Sequence, residues 1–251
     1  MDIQLHYTEA GEGFPLILLH GNGENSAYFE HQIAFFASKY RVIAVDTRGH
    51  GKSPRGNAPF TLERFTEDLH EFMSEQRIEK AHILGFSDGG NIALLFALKY
   101  PSLVERLILN GANLDPSGVK WWVQMPVVLG YHFASLFEKR SEKAKANAEL
   151  LGLMVHEPHI AEDALKELTM PVLVIAGTKD MIKDRHTRRI AAAIPNGRLK
   201  IIEGDHFIAS KCPAAFNSAV ECFLSEKWNR GKKDVDSQSR KERSAGSFGY
   251  L

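Results

Sequence analysis

The sequence predicts an α/β fold: a mostly parallel central sheet, helices on both faces, and a small helical cap. Three observations predict it. Short apolar runs alternate with segments of helical period along most of the chain. The runs are near-continuous rather than alternating, which suits parallel strands covered on both faces. One interval, about residues 113–168, has no convincing strand and reads as a helical insertion placed over the sheet.

The elements follow in order. Residues 4–8 are an early antiparallel strand, and 15–20 (PLILLH), 41–46 (RVIAVD) and 81–86 (AHILGF) are buried strands. Between the last two, residues 62–77 carry Leu62, Phe65, Leu69, Phe72 and Met73 on one helical face, with Thr61 as the N-cap. Residues 88–100 form an Ala-rich helix that Pro101 stops. Strands at 104–109, 172–176 and 199–203 complete the sheet. The insertion holds an aromatic-rich stretch followed by a charged helical segment at 138–150.

Composition limits the classes of function. The 251 residues hold 31 Lys/Arg and 31 Asp/Glu, with 44% hydrophobic and 25% charged side chains. That allows a sizeable core and excludes a wholly disordered, collagen-like or disulfide-scaffold chain. A neutral balance offers no reason to expect nucleic acid as a partner. The longest apolar stretch, 125–137, is interrupted by Gly130 and His132 and is too short to span a bilayer. The first residues, MDIQLHYTEAG, lack the apolar core of a signal peptide. If Cys212 and Cys222 share a helix, they lie ~15 Å apart, too far to bridge. Reduced thiols and a cytoplasmic location are the expectation. Residues 1–226 form the expected single domain. Residues 227–251 carry seven Lys/Arg against three Asp/Glu with no apolar period, and read as a basic, disordered tail. The oligomeric state is not readable from the sequence.

The motif that carries chemistry is Gly85-Phe86-Ser87-Asp88-Gly89, a G-x-S-x-G directly after a strand and directly before a helix. That is the context of a nucleophile elbow, in which a sharp strained turn lifts a serine Oγ clear of the sheet. Glycines at 85 and 89 leave room for the turn, and Gly90 lets the helix pack closely.

A serine needs a base within reach, and an acid and then a histidine follow this elbow in chain order. Five histidines follow Ser87. His206 comes just after the last strand, at the same sheet edge as the elbow. His132, His156 and His159 fall in the insertion, and His186 reads as part of a solvated basic helix. Asp180 follows the preceding strand and is the favoured orienting acid; Asp184, Asp205 and Asp115 compete. Two backbone donors for an oxyanion are expected from Asn22, in His20-Gly21-Asn22-Gly23, and from Asp88.

Those motifs, with the Asp46–Ser53 loop, together resemble the α/β-hydrolase superfamily from the first strand to about residue 225. The Gly-Phe-Ser-Asp-Gly-Gly elbow is similar to the biphenyl hydrolase-like branch, which includes valacyclovir hydrolase. The resemblance implies a serine hydrolase that cleaves a carboxylic ester, or less readily an amide, of a small acyl substrate through an acyl-enzyme, with no cofactor and no metal. Ser87, Asp180 and His206 would be the triad. Asp88 would anchor a substrate ammonium; the plainer reading is that it caps its helix. Trp121, Trp122 and Met125 are candidate walls of an apolar substrate pocket. Alternatives using the same triad are a proline iminopeptidase-like aminopeptidase, a carbon–carbon bond hydrolase or a cofactor-free haloperoxidase. An alternative of another class is a catalytically silent binding protein.

Several patterns carry less than they promise. Gly51-Lys52-Ser53 would need glycine at Asp46 to end a phosphate loop. The loop is instead expected to bring Arg48 and His50 near the site. His156-Glu157-Pro158-His159 would need histidine at Ile160 to bind zinc, and Pro158 disfavours the helix.

Overall fold

The computed structural model describes residues 2–226; the tail expected at 227–251 lies outside them. The strands are β1 (Tyr7–Ala10), β2 (Pro15–Leu19), β3 (Arg41–Val45), β4 (Ala81–Phe86), β5 (Val104–Asn110), β6 (Val172–Gly177) and β7 (Gly197–Ile202). They form one sheet in the order β1-β3-β2-β4-β5-β6-β7. Only β1 runs antiparallel, pairing Tyr7 with Val45 and Ala10 with Val42. The early strand therefore lies three residues later at its start than the sequence predicts.

The parallel strands are apolar on both faces because both are covered. Ile17 and Leu19 enter one core with Leu62, Phe65 and Leu69 of α2 (Leu62–Glu75) and with the helix after β4. Leu16 and Leu18 point the other way, onto Phe36 of α1 (Glu30–Phe36) and onto Phe216 and Val220. The Thr61 hydroxyl accepts from Arg64 N at 3.1 Å, so the expected cap starts α2. The helix closes two residues early, where Arg77 turns to φ 53°.

α3 (Asp88–Lys99) follows β4. The insertion is an antiparallel helix pair, α4 (Trp121–Phe137) and α5 (Glu142–His156). α4 runs unbroken through Pro126 and Gly130, and Gly130 lets it pack closely on α5, where a Cβ would lie 3.2 Å from Leu151. α5 starts later than the charge pattern predicts, because Ser141 is its N-cap and accepts from Ala144 N. α6 (Asp184–Ala193), the short α7 (Ile208–Lys211) and α8 (Pro213–Ser225) complete the described chain. Cys212 and Cys222 are both free thiols. No described helix is long and apolar enough to cross a membrane.

The chain goes from β2 outward to β3 and then crosses back to β4 on β2's other side. Loops leaving β2 and β4 at their carboxyl ends therefore open a crevice at a topological switch point, the usual ligand position in an open parallel sheet.

Candidate active site

The elbow is built by sterics. Ser87 has φ 53° and ψ −120°, a conformation non-glycine residues avoid. It is held there because Ser87 N donates to Asn110 O at 2.8 Å and Ser87 O accepts from Asn91 N at 3.0 Å. A Cβ at Gly85 would lie 2.1 Å from Gly89 O, and one at Gly89 would lie 2.1 Å from Leu19 O. Either would force the strand and helix apart. Ser87 thus stands at the sheet edge on a turn that the flanking chain over-determines.

His206 and Asp180 meet across the loops after β7 and β6. His206 Nδ1 lies 2.7 Å from Asp180 Oδ1, and both side chains are buried. Asp180 Oδ1 also accepts from Ile182 N at 2.9 Å, which fixes the carboxylate. With Nδ1 engaged, the other ring nitrogen is the one available for chemistry; Nε2 is buried and has no hydrogen-bond partner among the described residues. The imidazole packs on Phe86, the residue before Ser87, with centroids 4.8 Å apart.

The competing acids are occupied elsewhere. Asp184 pairs with Arg188. Asp205 accepts from Phe207 N and Lys211. Asp115 caps a turn through Ser117 N. His186 corrects the solvated-helix expectation: it is buried, and its Nε2 accepts from Leu114 N at 2.9 Å beneath the cap. Arg185, Arg188 and Arg189 are exposed, while His186, Thr187 and Ile190 form the buried side of α6, a split that a helical-period count can detect. His132, His156 and His159 are exposed.

Gly21 places the loop after β2 against the elbow, since a Cβ there would lie 3.2 Å from Ser87 Cβ. Asn22 follows it, and Asp88 opens α3. Behind the loop, His20 Nε2 accepts from Thr47 N at 3.0 Å, so Nδ1 carries the proton that goes to Gly21 O at 2.7 Å. Burial lowers the His20 pKa to about 4 and keeps the ring neutral. The Asp46–Ser53 loop supports this arrangement from below. Arg48, expected near the site, is fully buried and forks onto Asp68 and Asp2, so its guanidinium is spent on the scaffold. His50 does lie close, packed on His20 at 5.2 Å.

Asp88 does not cap α3. Its Oδ1 accepts from the Asn91 side chain at 3.3 Å, and its buried Oδ2 has no partner among the described residues. Burial, reinforced by the charge of Glu157, raises its pKa to about 6.

Sequence reasoning missed four residues. Glu24, just past the glycine-lined loop after β2, is pushed up to about 7 by burial. Tyr28 stacks flat on Phe86, with centroids 4.4 Å apart. Glu157 is raised by burial. Gly111 has φ 64°, and a Cβ there would lie 2.6 Å from the His206 ring; its signal was an Asn-Gly pair at a strand's carboxyl end. Nothing local distinguishes the other three.

Trp121, Trp122 and Met125 stand on the open side of α4, at 69%, 56% and 50% exposure. Trp121 meets Trp122 edge-on, and Lys120 lies over the Trp122 ring. The structure therefore does not enclose these three in a pocket wall. The α4 face that meets α5 carries Gln124, Gly130 and Tyr131 instead. Among the described residues no three His, Cys, Asp or Glu side chains converge as metal ligands.

A serine on a strained turn, a histidine held by a buried aspartate and a glycine-lined loop thus lie together at the carboxyl edge of the sheet. The family model of the α/β hydrolase fold matches residues 15–147, and the chain belongs to that family; it is a hydrolase of the α/β fold. Human serine hydrolase BPHL is 30% identical over 88% of this chain and 83% of its own length. The 3-oxoadipate enol-lactonase 2 of Acinetobacter baylyi is 25% identical over 89% of this chain and 94% of its own. Among solved structures, a meta-cleavage product hydrolase (CumD) from Pseudomonas fluorescens superposes with a TM-score of 0.73 at 26% identity, covering 88% of this chain and 94% of that one.

Proposed function

We propose that this protein is a serine hydrolase that cleaves carboxylic esters of small acyl substrates through an acyl-enzyme. The supporting observation is the 2.7 Å contact of His206 Nδ1 with Asp180, which leaves Nε2 unpartnered beside the Ser87 elbow. Asp180 holds the imidazole tautomer and stabilises the imidazolium as it forms. His206 Nε2 takes the proton from Ser87 Oγ while Oγ attacks the carbonyl carbon. The oxyanion accepts from the N–H groups of Asn22 and Asp88. Collapse expels the alcohol, which receives the proton from His206. Water then attacks the acyl-enzyme with His206 again as base, releasing the acid and restoring Ser87. Ser87→Ala is expected to abolish turnover of a chromogenic ester panel and labelling by a fluorophosphonate. Persistence of either would sink the assignment.

A second reading concerns substrate charge. Asp88 is a buried carboxyl with one oxygen unpaired, directly after the nucleophile. An ammonium on the acyl part of a substrate would satisfy it, as the BPHL-like resemblance implies. Amino-acid esters are then preferred over matched N-acylated esters, and Asp88→Asn removes the preference. The preference strengthens as pH rises through about 6, where Asp88 becomes charged. Equal rates on both ester types would refute this reading while leaving the esterase assignment intact.

A further inference from the structure

The cap helix α4 has an outer face that nothing among the described residues covers. Its seventeen residues contain no Asp, Glu, Lys or Arg. The exposed positions recur at helical spacing from Trp121 to Phe137, and all but His132 are apolar. Exposure of the large ones runs from 41% at Phe137 to 75% at Leu136. The stripe is about 25 Å long, longer than a small acyl substrate requires. Its seven large side chains present on the order of 1,000 Å² of apolar surface. That is comparable with the roughly 800 Å² each partner contributes to a standard interface, and a contiguous apolar patch of this size marks an interaction surface.

We propose that this face is the interface of a two-fold dimer, in which α4 packs antiparallel on α4 of a second copy with Leu129 at the axis. The exposed positions are symmetric about Leu129. An antiparallel two-fold there sets Met125 against Phe133 and Trp122 against Leu136, and brings Leu129 onto its own copy. Each large side chain meets one of matching character, as an isologous contact requires. The same operation places Lys120, just before the helix, opposite Glu138, just after it. These two have opposite charges: Glu138 is exposed, and Lys120 lies over the ring of Trp122 in the same stripe. The ends of the stripe are thus complementary in charge, and its middle is self-complementary in shape.

The flanks argue against a bilayer as occupant. An anionic lipid surface is met by a rim of one sign. Here Lys139, Arg140 and Lys143 are interspersed with Glu138 and Glu142.

Sedimentation of the full chain over a wide concentration range tests the proposal. The expected species has twice the chain mass, and Leu129→Glu yields monomer with an unchanged circular dichroism spectrum. Lys120→Glu weakens the dimer at low salt, and adding Glu138→Lys restores it. With Cys212 and Cys222 replaced by Ser, oxidised Leu129→Cys forms a disulfide-linked dimer. Leu136→Cys does not, because its two copies lie about 20 Å apart along the helix. The crosslink keeps the proposal testable if Leu129→Glu fails to fold. A wild-type monomer at every concentration would overturn it, as would a dimer indifferent to Leu129→Glu. A monomer that co-sediments with phosphatidylserine vesicles would overturn it in favour of a lipid surface.

Discussion

The carboxyl edge of the sheet and the cap above it both surround Ser87, but they are built differently. At the edge, backbone meets backbone, Gly85 against Gly89 and Gly89 against Leu19, and Gly111 lies against the His206 ring. There the polar atoms of Asp180, His20 and Thr47 are bonded across to neighbouring loops. The cap is tied down by a few side-chain bonds. Asn22 donates to Leu150 O, Arg55 forks onto Glu149, and Glu157 accepts from Leu62 N. The difference is what chemistry and selectivity each require. Positioning reacting atoms to a fraction of an ångström needs rigid elements, whereas a cap held by exchangeable contacts can vary without disturbing them.

The largest test falls on the edge. Asp180→Asn should lower kcat by roughly a thousand- to ten-thousand-fold while leaving the thermal midpoint nearly unchanged. A drop below tenfold in steady-state assays would mean that Asp180 does not orient His206.

A matched pair of glycines probes the packing difference directly. Gly89→Ala should cost more than about 3 kcal/mol in urea denaturation, because its Cβ would sit 2.1 Å from a backbone oxygen. Gly130→Ala in α4 should shift stability by less than about 1 kcal/mol, since its methyl meets only the movable end of Leu151, at 3.2 Å, and alanine favours the helix. Equal costs at the two sites would break the comparison.

Asp88 is the place where the edge bears an unfavourable group. Its pKa is raised from 3.8 to about 6, so the stability gained from the protonated form is full below 3.8 and lost as pH rises through 6. Asp88→Asn should therefore stabilise the protein by roughly 1–3 kcal/mol at pH 8, with the gain vanishing below about pH 4. Chemical denaturation at the two pH values measures it.

The smallest effect is expected in the cap. Arg55 and Glu149 are partly exposed, and Arg55→Ala should cost under about 1 kcal/mol. It should raise KM rather than lower kcat, because it loosens the cap without moving Ser87.

What was legible in the sequence was local. The strand β4 was read at its observed bounds because its burial on both faces shows as an unbroken apolar run. Thr61 is legible as a cap because its bond to Arg64 N spans only four residues of chain. The β1 register was not, because a two-sided polar edge strand has no pattern to pin it. The start of α5 was misplaced because charge runs continue across a helix boundary that only Ser141 marks. The burial of His186 is hidden for a related reason: sequence neighbours set the charge around it, but the face of α6 it occupies sets its burial.

The sequence by itself determined the alternation of strands and helices, the elbow around Ser87 and the order of serine, acid and histidine along the chain. These rest on backbone sterics and periodicity, which act over a few residues. The tertiary structure alone decided which of four aspartates faces His206, that Arg48 and His186 brace the scaffold, that Asp88 stands without a full set of partners, and that α4 turns its aromatic face outward. Each of those depends on contacts between segments tens of residues apart, where packing decides which side chain lies within hydrogen-bond reach of which.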